Sequence, residues 1–129
     1  MDQLGIETIV NEPFETVLER VPDALKAEGF GILTRIDMKE TLKAKLGVDF
    51  RRYQILGACN PPFAHRALGA DLAAGLMLPC NVLVYELDPE TTKVVAVDPE
   101  RAMAGHDAPE LKILASEVRA KLARVIDAL

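Results

Sequence analysis

Hydrophobic positions change their period several times along this chain, and each change marks an element. Residues 4–10 alternate weakly and favour β-branched side chains, which predicts an opening strand. Asn11 to Pro13 supplies helix-start chemistry. Phe14, Val17, Leu18, Val21 and Leu25 then recur at helical spacing and give a first helix one apolar face. Pro22 falls inside that stripe and predicts a kink or a division. Gly29 and Gly31 predict its stop, because glycine accepts the left-handed conformation that follows a helix. Residues 30–36 read as a second strand with Phe30, Ile32 and Ile36 on one face.

Asp37 followed by Glu40 predicts a capped short helix, ended by Gly47. A third strand is expected over residues 53–59. Asn60-Pro61-Pro62 then predicts a helix with an Asn cap, whose inward face is Phe63, Ala64, Ala67 and Leu68. The apolar run from Leu76 to Leu87 reads as a mostly buried strand. Residues 88–92 form a turn, and residues 93–97 return as the hairpin partner. The last helix is expected to be capped by Asp107 with Glu110. Its stripe is Leu111, Leu114, Ala115, Val118, Leu122, Val125 and Leu129. The order β-α-β-α-β-α-β-β-α predicts an α+β fold in one domain spanning residues 1–129. It is a two-layer sandwich, with a mostly antiparallel sheet and two long helices on one face. The closing hairpin and the brevity of the second helix argue against a doubly wound parallel sheet.

Composition narrows the function classes without naming one. The chain has 129 residues, half of them hydrophobic, which suits one core and excludes a disordered tail. Fifteen basic against twenty acidic residues leave a net charge of -5, the wrong sign for nucleic-acid binding. No apolar run approaches the roughly 20 residues that cross a bilayer. The N-terminal MDQLGIETIV lacks the basic region of an export signal, so a cytoplasmic location is expected. No Gly-rich phosphate loop is present, and the single serine, Ser116, falls inside a helical pattern.

Candidate chemistry collects in two echoing segments, Gly57-Ala58-Cys59-Asn60-Pro61-Pro62 and Leu78-Pro79-Cys80-Asn81. Each Cys-Asn pair falls at a strand end. Antiparallel neighbours would bring Cys59, Asn60, Cys80 and Asn81 to one edge of the sheet, within reach of His65 one helical turn further on. Three readings stay open there. Small core cysteines and turn-forming asparagines would be purely structural. Two thiolates with His65 would suit a soft metal. A helix N-terminus after Cys59 would suit thiol chemistry or a small-ligand pocket. His106, in a Gly-His-Asp turn, is expected at the surface, and Arg51 and Arg52 on a solvated edge.

The run KLGVDFRRYQILGACNPPFAHRAL, with GLMLPCNVLVYE and VVAVDPE after it, resembles the family called domain of unknown function 302. That resemblance implies a TATA-binding-protein-like arrangement, in which a strand and helix precede four strands and a helix. It also implies a homodimer. The family motif maps onto Cys59, Asn60, Pro61, His65, Pro79, Cys80 and Asn81. Likeness of fold does not import DNA binding. The expected function is a homodimeric small-ligand-binding or interaction module with a Cys/Asn/His pocket. The alternative is a thiol- or metal-dependent enzyme or sensor using Cys59, Cys80 and His65. A purely structural subunit is the third possibility.

Overall fold

Leu56, Ala58, Val82, Val84, Val94 and Ala96 occupy alternate positions of three adjacent strands, and all are fully buried. A period of two places such residues on one face of a sheet, and that face carries the core. The structure, a computed structural model, describes residues 4–129; the first three residues of the N-terminal stretch lie outside it. The central strands are β3 (Tyr53–Cys59), β4 (Cys80–Asp88) and β5 (Thr91–Val97), with β1 (Gly5–Val10) and β2 (Gly31–Asp37) at the edges. Their order is β1-β5-β4-β3-β2, and every neighbouring pair is antiparallel.

Two long helices cover the core face. Helix α1 (Phe14–Ala27) contributes Phe14, Val17, Val21 and Leu25. Between β2 and β4 lie α2 (Met38–Leu46), α3 (Pro61–Ala70) and a 3-10 turn at Leu72–Met77, and after β5 comes the short α4 (Pro99–Ala102). Helix α5 (Pro109–Asp127) then lays Val118, Leu122, Val125 and Ile126 on the sheet. Each fully buried Val or Leu contributes roughly 1.5–3 kcal/mol, so these stripes dominate the stability of the two-layer α+β sandwich. The strand, helix, four strands, helix order is that of the long elements. Among the described residues no helix is long and apolar enough to cross a membrane.

Several local expectations are corrected. Helix α1 runs unbroken through Pro22, because Val21 and Leu25 are fully buried and their packing offsets one missing hydrogen bond. A bulge between Ile32 and Thr34 shifts the β2 register, so Phe30 and Ile32 face the core while Ile36 pairs with Ile55 on the opposite face. The apolar run from Leu76 to Leu87 is not one strand. Asp71 accepts the Ala73 N–H and starts the 3-10 turn, Leu76 is 88% exposed, and β4 opens only at Cys80. Ala108, not Asp107, sits at the N-cap of α5, where His106 Nδ1 accepts the Ala108 N–H at 3.1 Å. His106 is therefore half-buried, with Nε2 at 3.6 Å from Asp71, rather than free at the surface. Asn60 stands at the N-cap of α3 but makes no side-chain cap.

Candidate functional site

Five alanines leave a space that their methyl groups cannot fill. Ala58 on β3, Ala64 and Ala67 on α3, Ala74 in the 3-10 turn and Ala115 on α5 line one cavity of about 80 Å³. It lies between the main core and a smaller cluster of Ala74, Leu111 and Leu114, with Phe63 packed against both. Cys59, Asn60 and Cys80 line the same cavity.

The cysteines meet because β3 and β4 are antiparallel neighbours in which Ala58 pairs with Cys80. Cys80 thus shares the core face with Ala58, and Cys59 is the last residue of β3, where the chain turns into α3. Both are free thiols. Burial, and then the neighbouring Cys59, push the Cys80 thiol up to about 11. At neutral pH Cys80 is a protonated thiol rather than a nucleophile. Asn60 is buried, and its Nδ2 donates to the Glu28 carbonyl at 3.3 Å. That bond ties the β3–α3 junction to the end of α1 beside Gly29, whose φ of 86° is a left-handed conformation suited to glycine.

Two expected members stand elsewhere. His65 follows the half-buried Phe63 and Ala64, and helical phase turns it to the exposed side of α3. There it lines a separate surface hollow with Arg66 and Glu110. Asn81 follows Cys80 in β4, so alternation carries it to the opposite face of the sheet, where it pairs with Gly57 and is exposed. The expected Cys/Asn/His pocket is therefore assembled as Cys59, Asn60 and Cys80. Among the described residues no three His, Cys, Asp or Glu side chains gather in a group that could hold a metal. Sequence reasoning missed Met77 and Met103, which also line the cavity. Met77 stands in the apolar run three residues before Cys80 but reads there as a strand residue, and Met103 lies in no apolar stripe. Arg52 pairs with Glu15 and lies over the Phe14 ring, and Arg51 donates to the Glu86 carbonyl.

The other face of the sheet carries a second set of apolar side chains. Val95, Leu83, Ile55 and Ile36 form one row across four strands. Beside that row, Tyr53 and Tyr85 stack with centroids 5.0 Å apart, and Phe50 tilts against Tyr53. Lys93 meets Glu7 at 3.0 Å, and that hydrogen bond raises the lysine's pKa. The long helices lie on the opposite side, and no residue of α2 is buried.

Comparison with known proteins adds three findings. The model of the family described as "Domain of unknown function DUF302" matches residues 6–129. No curated protein matches the chain. Among solved structures, the chain is similar to an uncharacterised conserved protein DUF302 from Bacillus stearothermophilus. The two share 33% identity and a TM-score of 0.88, with 98% of each chain covered.

Proposed function

The chain belongs to the DUF302 family, and from that premise we propose that it is a homodimeric small-ligand-binding module whose pocket is the cavity lined by Cys59, Asn60 and Cys80. The observation that carries this reading is the placement of two free thiols and one buried amide in an otherwise apolar cavity of about 80 Å³. An engineered apolar cavity that accepts benzene is about 150 Å³. The ligand is accordingly an ion or a molecule of few atoms. Protonated Cys80 weighs against a thiol nucleophile, so binding is favoured over catalysis. The second face of the sheet supports the dimer. Its apolar row is bordered by a charge pair already neutralised within the chain, so a second copy can cover it without burying an unpaired charge. Five strands of this length present a footprint on the order of 500 Å². That is the same order as the roughly 800 Å² per partner of a stable interface. A net charge of -5 favours no nucleic-acid partner, and a cytoplasmic site of action fits two cysteines left as thiols.

Thermal melting across a panel of metal ions and few-atom metabolites tests the pocket. At least one compound is expected to raise the melting temperature of the native chain and not that of Cys59→Ala/Cys80→Ala. A ligand present at 100 times its dissociation constant contributes about 2.7 kcal/mol, a shift of several degrees. A native chain that responds to nothing in the panel overturns the reading.

A further inference from the structure

The cavity holds more sulfur than its two thiols. Met77, at the end of the 3-10 turn, and Met103, just after α4, line it together with Cys59 and Cys80. Met77 is 39% exposed and Met103 is half-buried against the smaller cluster, so both residues stand toward the rim. Cys80 packs against the main core and lies deeper. No Asp, Glu or His lines this cavity, and its one amide side chain, Asn60, already donates to Glu28. Apart from the Asn60 amide oxygen, the side-chain donors are therefore all soft.

Donor type decides which cation such a site accepts. Thiolate and thioether sulfur select Cu(I), whereas carboxylate and carbonyl oxygen suit Mg(II), Ca(II) and Mn(II). Zn(II) is commonly held by four thiolate, imidazole or carboxylate donors, and this cavity offers two thiols. Two thiolates around a divalent ion would be neutral, but that ion would still lack two good donors. One or two thiolates around Cu(I) leave a charge of zero or minus one, with neutral thioethers completing the shell. An ion without a hydration shell fits 80 Å³, where an organic cofactor does not.

We propose that this cavity is a Cu(I) site, held by the thiols of Cys59 and Cys80 with the thioethers of Met77 and Met103. The proposal rests on the reading of the cavity as a ligand pocket and names its ligand. Binding breaks one S–H bond for each thiol that becomes a thiolate ligand and releases that proton to solvent. Copper remains Cu(I), and no electron is transferred. Met77, the more exposed of the two methionines, gives the ion its first contact before it reaches the deeper Cys80.

The test is titration of the fully reduced protein with Cu(I) against a competing chromophoric chelator, with copper K-edge X-ray absorption on the loaded protein. One Cu(I) per chain and a sulfur-only shell are expected. Met77→Leu and Met103→Leu keep the volume and apolarity of the cavity and remove one sulfur each. Each is expected to weaken Cu(I) binding by about tenfold or more, no less than the loss of an outer partner of a metal ligand costs. Leucine variants that bind Cu(I) as the native chain does, or nitrogen or oxygen in the copper shell, overturn the four-sulfur assignment. A native chain that ignores Cu(I) but melts higher with another member of the panel overturns the copper inference and leaves the pocket reading standing. A chain that responds to neither overturns both.

Discussion

Gly57 shows how one missing methyl group shapes this sheet. A Cβ built there would lie 2.1 Å from Thr34 Oγ1 and 2.8 Å from Pro79 Cγ. The threonine hydroxyl can rotate away, but the proline ring cannot. Gly57→Ala is expected to destabilise the fold by about 1–3 kcal/mol, the usual cost of overpacking, measured by urea denaturation. An unchanged midpoint would show that the chain before β4 yields at Pro79 without cost. Cys80 gives a second expectation at this scale. Its thiol is pushed from 9.0 to about 11, so the folded state favours the protonated form. The stabilisation this brings is fully present below pH 9 and is lost as the pH rises through about 11. In Cys59→Ser, which removes the smaller of the two causes and keeps the burial, alkylation of Cys80 by a small reagent is expected to accelerate with a midpoint above 9. A midpoint at or below 9 would mean that the thiol is not desolvated.

Among elements, α5 carries the most weight, because it buries seven side chains, Leu111, Leu114 and Ala115 besides Val118, Leu122, Val125 and Ile126, against four from α1. Leu122 is fully buried, and Leu122→Ala is expected to cost about 2–5 kcal/mol with an unchanged denaturant slope. A loss below 1 kcal/mol would mean that α5 does not anchor the layer. The stripes of α1 and α5 were legible in the sequence, since 3.6-residue periodicity survives whatever surrounds a helix. The presence of β3 was legible as well, and so was the hairpin of β4 and β5 from the turn residues between them. The bulge in β2 was not, because Ile32 and Ile36 keep the spacing of one face and only the pairing with β3 reveals the shift. Nor was the 3-10 turn, where Leu72 and Leu76 are as apolar as strand residues yet 85% and 88% exposed. In the pocket, the Cys-Asn echo exposed Cys59 and Cys80, because a strand pair brings the end of one strand to the start of the next. His65 was misplaced by helical phase, since one residue moves a side chain by about 100°. Met77 reads as one more residue of the apolar run before Cys80, and Met103 carried no signal, because only tertiary packing brings it to the cavity.

For the whole molecule, the row of Val95, Leu83, Ile55 and Ile36 makes assembly the property to measure. Leu83→Glu puts a charge in the middle of that row. Sedimentation equilibrium is expected to give a dimer for the native chain and a monomer for the variant, with similar melting temperatures, because Leu83 is only half-buried in the isolated chain. A native chain that sediments as a monomer removes the homodimer from the account. The two hydrophobic clusters are unequal: Ala74, Leu111 and Leu114 make up the smaller one, and sixteen buried residues the larger. Opening free energy follows buried apolar contact, so backbone amides of the 3-10 turn and the first turns of α5 are expected to take up deuterium well before those of β3 to β5. One end of the protein would thus breathe while the sheet stays shut, and traffic into the interior would be timed by that local excursion instead of by global unfolding.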